Sequence, residues 1–201
     1  MTEDLKDFIT INDIHYNLTN LELLAWQKLL NGSVKKKNGF RNMVVGTISE
    51  HGDAALRTVV NRKVDAERKI IYFHTDARSR KCQDLMQNPQ ISLLFYDPRQ
   101  RVQIVLKASA KFNINDALAM NRWQATSPQA RLSYMTIEPP NARSEAPTLG
   151  YEARFSETKP ITAESDLYQS NFAVIACEVE VLEFLYLNYA GNRKANFYYK
   201  N

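Results

Sequence analysis

The sequence has few of the residues that build disulfide scaffolds and zinc sites. It contains two cysteines, Cys82 and Cys177, and three histidines that are not clustered. Two cysteines cannot form a disulfide framework and are typical of a reducing compartment, so we expect a cytoplasmic protein. A structural zinc site is not expected either, because it would need four nitrogen or sulfur ligands close together.

Long apolar runs are also absent. No stretch is long enough to cross a bilayer, and residues 1–17 are acidic and lack the apolar core of an export signal. We therefore expect neither membrane insertion nor export. Hydrophobic residues still make up 44% of the chain, which is enough to bury a sizeable core.

The sequence shows no signature of a nucleic-acid-binding protein. The net charge of +4 is mild, and the densest basic run, "SVKKKNGF" at 33–40, is interpreted as a solvated loop. No Ser-His-Asp arrangement and no Gly-rich nucleotide loop stands out. We therefore predict no nucleic-acid partner and see no hydrolytic machinery.

The hydrophobic periodicity of the first half predicts strands with two helices among them. The spacing of apolar residues at 20–31 predicts an amphipathic helix that ends near Gly32, and 79–88 predicts a short helix that stops before Pro89. A turn is predicted at 50–53. The runs that predict strands are 40–49, 54–63, 69–75, 90–97 and 101–112.

Two further helices are predicted at 113–125 and 127–136. The first has Asn113 or Asn115 as its candidate cap, and the second has Ser127 at its N-cap with a proline at the first helical position.

The remainder of the chain is irregular until its last two strands. Residues 137–150 contain three prolines and are interpreted as a surface excursion, while 151–170 give no clear pattern. Strands are predicted at 172–188 and 194–200. The total is six or seven strands, mostly adjacent in sequence, and such hairpins favour an antiparallel barrel over a parallel sheet with crossover helices.

A basic turn before the second predicted helix raises an electrostatic question. Arg78, Arg80 and Lys81 lie where the positive end of the helix dipole disfavours cations. With Ser79 capping one amide, the remaining free amides and the cations could bind an anion such as phosphate. Solvated basic residues are the alternative. Arg57, in a strand that otherwise looks interior, also needs an anion, supplied either by a ligand or by a protein carboxylate.

Three segments together resemble a known family. "LRTVVNRK", "YFHTDARSRKCQDLMQNPQISLLFY" and "RVQIVLKASAKF" are similar, in this order, to the flavin-binding split-barrel proteins related to pyridoxamine 5′-phosphate oxidase. The resemblance implies a mainly β fold with accessory helices, built on a six-stranded antiparallel Greek-key split β-barrel. It also implies one domain over 1–201, with an N-terminal helix at 20–31, barrel segments at 40–112 and 172–200, and an insertion at 113–170.

The resemblance implies FMN as the cofactor and assigns residues to it. The residues that would hold the FMN phosphate are Arg57, Ser79, Arg80 and Lys81. The residues whose backbone would follow the edge of the flavin ring are Thr58, Val59, Val60 and Asn61. The side chains that would line or hydrogen-bond the ring and ribityl chain are His74, Thr75 and Gln103. In this family the site lies between two subunits, so a homodimer is implied.

The chain departs from the family pattern where the oxidase binds its substrate. The helix that carries a Tyr, an Arg and a Ser in the oxidase has Trp123, Ser127 and Arg131 here, so the middle Arg is missing. Arg62 stands in the place of a substrate-contacting Lys. Near the end Arg193 is present without the oxidase's histidine. These five residues form the candidate substrate pocket, and the departures argue against vitamin B6 oxidation.

Two classes of function follow. The first is an FMN-dependent oxidoreductase that uses a small-molecule substrate or NAD(P)H. The second is a non-catalytic flavin-binding or haem-handling protein of the same fold, although none of the histidines is marked as a haem ligand. Cys82 is interpreted as a buried apolar residue, with a reactive thiol as the alternative.

Overall fold

The computed structural model describes residues 8–199. Three predictions extend beyond the described residues. They are the domain span 1–201, the acidic start at 1–17 and the strand 194–200. The strands are β1 Ile9–Ile11, β2 Ile14–Tyr16, β3 Asn42–Ile48, β4 Ala54–Val60, β5 Lys63–Asp65, β6 Ile70–Asp76, β7 Gln90–Asp97, β8 Val102–Asn113, β9 Phe172–Tyr186 and β10 Arg193–Tyr198. The helices are α1 Leu18–Val34, α2 Arg80–Gln87, α3 Ala117–Gln124, α4 Pro128–Arg131 and α5 Thr162–Asp166.

Eight of these strands form one antiparallel sheet that curls into a half-barrel. Its order is β4-β3-β7-β8-β9-β6-β5, and β10 pairs with β9. The seven longest strands are those predicted from the sequence. The predicted split-barrel fold is confirmed. β9, with 15 residues, pairs with β6 over its first half, with β10 over its second half and with β8 along its length.

The core follows from the alternation of side chains along the strands. In β7 the buried apolar residues are Ile91, Leu93 and Phe95, and they alternate with more exposed residues, which is the period expected of a half-buried strand. The helix α1 covers this core with Leu21 and Leu29, both fully buried. Burying side chains of this size contributes about 1.5–3 kcal/mol each.

α1 does not stop near Gly32, as the sequence pattern predicted, but continues to Val34. Gly32 is needed inside the helix because a Cβ there would overlap the carbonyl oxygen of Phe40. The glycine therefore permits close packing against the chain that enters β3, rather than ending the helix.

The segment between β8 and β9 packs through its own aromatic cluster. Trp123, Tyr134 and Phe172 form it, with ring centroids 4.9–6.1 Å apart. α3 is capped by Asp116, whose carboxylate accepts from the amide of Ala119, so neither of the two predicted asparagine caps is correct. A carboxylate at this position also complements the helix dipole.

The predicted helix at 127–136 is shorter than expected. Ser127 is its N-cap, as predicted, but α4 gives way at Leu132 to a 3₁₀ turn over 132–134.

The sequence pattern also missed the hairpin of β1 and β2 and the short helix α5. The excursion at 137–150 is irregular, as predicted, and a bond from the amide of Ile137 to the carbonyl of Gly150 closes its base.

None of the helices within residues 8–199 combines the length and the apolar character needed to cross a bilayer.

Candidate functional site

The basic turn, defined as residues 75–81, connects β6 to α2. Ser79 occupies the N-cap position, but its hydroxyl does not cap the helix, which corrects the prediction made for it. It accepts instead from Lys81 Nζ at 3.2 Å and lies 3.3 Å from the hydroxyl of Thr75. The amides of Cys82 and Gln83 bond to the Ser79 carbonyl. The amides of Arg80 and Lys81 find no acceptor among the described residues.

Lys81 is the cation that faces these free amides. Its ammonium group donates to Thr75 Oγ1 at 2.9 Å and to Ser79 Oγ, two neutral acceptors. Burial lowers the pKa of Lys81, and the nearby charges only partly oppose this shift. A partly desolvated ammonium group beside two free amides at a helix N-terminus is a favourable environment for an anion.

Arg57 reaches the same region from β4. Its Nη1 donates to Thr47 Oγ1 at 2.6 Å, and its Nη2 lies 3.5 Å from Oδ2 of Asp84 on α2. Asp84 is 3% exposed and also accepts from Thr47. A protein carboxylate is therefore present for Arg57, which was one of the two alternatives left open by the sequence.

The other two cations of the turn behave differently from each other. Arg78 is engaged by protein atoms: it bonds both oxygens of the buried Asp76, at 3.1 and 2.7 Å, and donates to the carbonyls of Thr136 and Ile137. It ties the turn to the start of the excursion. Arg80 is exposed, and its nearest carboxylate, Glu50, lies 3.5 Å away. Of the three cations, Arg80 and Lys81 remain available to a ligand.

The residues predicted along the flavin edge lie on an open strand. Among the described strands β4 pairs only with β3, so part of the backbone of Thr58, Val59 and Val60 faces an unpaired edge. Asn61 is different, because it is fully buried, its amide nitrogen donates to the Leu29 carbonyl at 2.9 Å and its backbone N–H is bonded within the protein.

The predicted site residues are divided between the two ends of β9. His74 and Thr75 pair with the beginning of β9, whereas Gln103 is opposite Leu185 and Arg193 opposite Tyr186, at its end. Val174 and Leu185, the β9 partners of His74 and Gln103, are 11 residues apart, which is roughly 36 Å along the strand. One protomer therefore does not bring Gln103 or Arg193 to the basic turn.

A second group of cations surrounds a cavity of about 410 Å³ near His74. We call this cavity the cationic pocket. Its charged lining residues are Lys36, Arg41, Arg62 and Arg122, and no Asp or Glu of residues 8–199 lines it. Ser127 also lines it, at the N-cap of α4.

His74 lies at the wall of the cationic pocket. Its ring packs edge-on against Phe172, with centroids 4.8 Å apart, and its Nε2 is buried without a partner among the described residues. Burial, followed by the charges of Arg62 and Arg122, lowers the pKa of His74 to about 3. The ring is therefore neutral at physiological pH.

Besides Arg193, two more residues of the predicted substrate pocket lie away from the cationic pocket. Trp123 is buried, and its indole N–H donates to Asp166 at 2.7 Å. Arg131 is 3% exposed, bonds Ser165 and Asp166 at 2.9 and 2.8 Å, and stacks on Trp123. Arg131 therefore stabilises the packing of α3, α4 and α5 and does not line the cationic pocket.

Sequence reasoning missed Lys36, Arg41 and Arg122 as site candidates. Lys36 belongs to the run interpreted as a solvated loop, and the other two carry no motif. The only signal for them in the sequence was the density of cations at 35–41. These residues come just before β3, and β3 pairs with β4, which leads to Arg62.

Cys82 is buried, as predicted. Burial raises the pKa of its thiol, which makes the alternative of a reactive thiolate unfavourable.

Comparison with known proteins finds that part of this chain is similar to a family. Residues 23–114 match the model of the family described as pyridoxamine 5′-phosphate oxidase, FMN-binding domain. The matched segment contains Arg57, the basic turn and Gln103. The predicted resemblance to the oxidase-related FMN-binding proteins is thereby confirmed.

A curated relative matches over a shorter stretch. The pyridoxine/pyridoxamine 5′-phosphate oxidase of Aeromonas hydrophila is 47% identical over 53 residues, which cover 26% of this chain and 24% of the relative. The match thus spans about a quarter of the length of that enzyme.

Solved structures share the fold over most of the chain. A pyridoxamine 5′-phosphate oxidase-related, FMN-binding protein from Nostoc punctiforme has a TM-score of 0.69 at 19% identity and covers 92% of this chain and 100% of its own. PhzG from Burkholderia lata, in complex with tetrahydrophenazine-1-carboxylic acid, has a TM-score of 0.66 at 15% identity, with coverages of 89% and 86%.

The basic turn passes a test of fit for the phosphate of FMN. Two free amides, the desolvated Lys81 ammonium group and the exposed Arg80 offer donors of the kind that a phosphate dianion accepts.

Proposed function

We propose that this protein is an FMN-dependent oxidoreductase that acts on a small molecule or accepts electrons from NAD(P)H. The observation that carries the proposal is the basic turn, where free amides at the N-terminus of α2 and the partly desolvated Lys81 converge within a segment that matches an FMN-binding domain. FMN binding is thus inferred from donors that this chain itself presents.

In this proposal the chain's residues position the cofactor. The amides of Arg80 and Lys81, together with both side chains, hold the phosphate, and Arg57 is retained nearby by Asp84. The open edge of β4 at Thr58 to Val60 offers backbone groups to the flavin ring. Bound FMN supplies the hydride or electron chemistry, so no acid–base constellation of the protein is required.

The proposed assembly is a homodimer with two equivalent sites. Gln103 and the basic turn lie at opposite ends of β9, so a flavin held at the turn of one protomer can meet only the Gln103 of another. The site is incomplete in one chain, and a two-fold pair completes both sites at once.

The proposal does not extend to vitamin B6 oxidation. Trp123 and Arg131 point inward, so Ser127, which stands where the oxidase has an Arg, is the one of the three aligned residues that lines the cationic pocket. Losing a charge-assisted anchor costs on the order of 1.5–3 kcal/mol of binding.

The test uses purified full-length protein. We expect FMN to bind with a perturbed absorption spectrum, the loaded protein to be dimeric by light scattering, and the flavin to be bleached anaerobically by NAD(P)H or by a reduced small-molecule donor. Bound flavin that no donor reduces would favour the non-catalytic alternative. Failure to bind FMN would refute the proposal.

A further inference from the structure

We propose that Arg78 couples the excursion at 137–150 to the basic turn, so that FMN binding and docking of the excursion stabilise each other. Arg78 is then a positioning residue, because its guanidinium group is engaged by protein atoms and does not face the ligand. This coupling rests on the function proposed above, since it requires the turn to hold the phosphate of FMN. It adds a second element of the chain that sets the affinity of the same site.

The conformation of the basic turn is held by the pairing of Asp76 with Arg78. Asp76 is 5% exposed, and the hydrogen bonds described for its carboxylate all come from Arg78. Oδ1 accepts from the backbone N–H and the Nε of Arg78 at 2.8 and 3.1 Å, and Oδ2 accepts from Nη2 at 2.7 Å. The Asp76 carbonyl also accepts from the amide of Ser79 at 3.1 Å. This pair therefore holds the segment that leads into the free amides of Arg80 and Lys81.

The same guanidinium group holds the start of the excursion. Its Nη1 donates to the carbonyl of Ile137 at 3.1 Å, and its Nη2 donates to the carbonyl and the hydroxyl of Thr136 at 3.1 and 2.8 Å. One planar group thus spans a buried carboxylate on one side and three oxygens of the excursion's start on the other. The fixed fork of an arginine permits this arrangement, whereas the single ammonium group of a lysine does not.

A further contact joins the turn to the other end of the segment between β8 and β9. The amide of Ala77 donates to the carbonyl of Asn171 at 2.8 Å, and the side-chain amide of Asn171 donates to the carbonyl of Tyr134 at 2.9 Å. The chain that leaves for the excursion and the chain that returns from it therefore meet at the basic turn.

Few other contacts hold the excursion against the rest of the protein. Residues 137–149 are all exposed, and the hydrogen bonds described for 138–149 stay within the excursion. Its base is closed by the bond from Ile137 to Gly150, next to the atoms that Arg78 holds. A segment with few buried contacts opens at a low cost in free energy, so the bonds of Arg78 should decide how often the excursion is docked.

The coupling is reciprocal, as any coupling of binding equilibria must be. The docked excursion keeps Arg78 and Asp76 in the conformation in which the free amides of α2 face the phosphate, and bound phosphate therefore favours the docked excursion. The effect depends on the phosphate, because the flavin ring lies along β4 in the proposed function. Riboflavin, which has the ring but no phosphate, should neither feel the coupling nor produce it.

The experiment compares the binding of FMN and of riboflavin to full-length protein by quenching of flavin fluorescence. The test variant is Arg78→Lys, which keeps a cation beside Asp76 but loses the bonds to Thr136 and Ile137. We expect FMN to bind roughly tenfold more weakly to this variant, with the binding of riboflavin unchanged. A merely structural role for Arg78 would weaken the binding of both flavins alike.

The matched control is Arg154→Lys. Arg154 belongs to the same long segment and also bonds two carboxylates, those of Glu152 and Glu164, but it has no bond to the turn. Its variant should bind both flavins as the wild type does.

Limited trypsin digestion measures the coupling from the side of the excursion. Arg143 is an exposed cleavage site within it. FMN should slow cleavage after Arg143 in the wild type, whereas riboflavin should not. In Arg78→Lys the cleavage should be faster, and FMN should no longer slow it.

The outcomes separate this coupling from the proposed function. If the wild type does not bind FMN, the proposed function and the coupling are both wrong. If the wild type binds FMN and Arg78→Lys binds it equally well, or loses FMN and riboflavin to the same extent, only the coupling is wrong. Should Arg78→Lys fail to fold, Thr136→Val provides the test, because it removes one acceptor of Arg78 and leaves Asp76 paired. It should weaken the binding of FMN alone, and an unchanged affinity for FMN overturns the coupling.

Discussion

The basic turn and the cationic pocket both concentrate positive charge at the same end of β6, but they balance it differently. In the turn, Arg78 is matched by the buried Asp76, and Lys81 is held by two hydroxyls. In the pocket, Arg62 and Arg122 face a cavity that no carboxylate of residues 8–199 lines. One cation of the turn, Arg78, is thus paired with a buried carboxylate, whereas the pocket cations have no carboxylate partner within that range.

The difference separates structural cations from cations that await a ligand. An arginine that is paired with a buried carboxylate stabilises the fold, and removing it leaves an uncompensated charge. An arginine without a partner costs the fold free energy, and its removal is tolerated. The predictions below test this distinction.

The largest effect is expected on FMN binding. Replacing Arg80 and Lys81 together by alanine removes both ligand-facing cations of the turn and should weaken FMN binding by on the order of 100-fold or more. The fold should persist, because neither side chain is paired with a buried carboxylate. Fluorescence titration of FMN, with circular dichroism as the fold control, measures this. Unchanged flavin occupancy in the double variant would show that the phosphate is placed wrongly.

The next effect is on stability. Arg78→Ala should lower the free energy of unfolding by roughly 2–3 kcal/mol, because it strands the carboxylate of Asp76, which is buried, and releases the excursion from the turn. Urea unfolding measures the loss.

The matched comparison is Arg62→Ala/Arg122→Ala. These unpaired cations should cost little stability or even increase it, since their removal relieves repulsion in the pocket. If this variant lost as much free energy of unfolding as Arg78→Ala, the cations of the pocket and of the turn would not differ in their effect on stability.

The smallest effect concerns pH. The folded protein keeps His74 neutral, with a pKa of about 3 against an ordinary 6.5. The free energy of unfolding is therefore highest above pH 6.5 and falls as the pH drops toward 3, because the unfolded chain binds a proton there that the folded protein does not. Between pH 6.5 and 5.5 the loss is about 1 kcal/mol, reduced by the partial exposure of the ring. The free energy of unfolding of His74→Phe, measured by urea titration at pH 6.5 and at pH 5.5, should not show this loss.

NMR titration provides a sharper readout for the same histidine. The pKa of His74 should rise in Arg62→Gln/Arg122→Gln, because two neighbouring charges are removed. A pKa that stays at its low value would mean that burial alone sets it.

Local patterns predicted most of the β framework. The strands at 40–49, 90–97 and 101–112 were correct to within a few residues, because alternation of apolar residues reports directly which face of a strand is buried. The hairpin β1–β2 and helix α5 were missed because each is very short and carries little periodic signal.

The site was predicted less evenly than the fold. The position of Ser79 at the start of α2 was correct, but the bond made by its hydroxyl was not, because Lys81 and Thr75 compete for it. Arg131 was placed in the substrate pocket by its position in a motif. Its actual partners, Ser165 and Asp166, belong to a segment that gave no pattern.

The sequence by itself determined the individual strands and the concentration of cations at the start of α2, since both depend on neighbours within a few residues. Only the tertiary structure decided which cation meets a carboxylate and which meets a cavity. The carboxylate partners of Arg57, Arg78 and Arg131 lie 2 to 35 residues away, and the distant ones, Asp84 and Asp166, are brought in by packing between elements. The cationic pocket exists for the same reason, because residues from the loop before β3, from the segment after β4 and from α3 come together only when the sheet has curled.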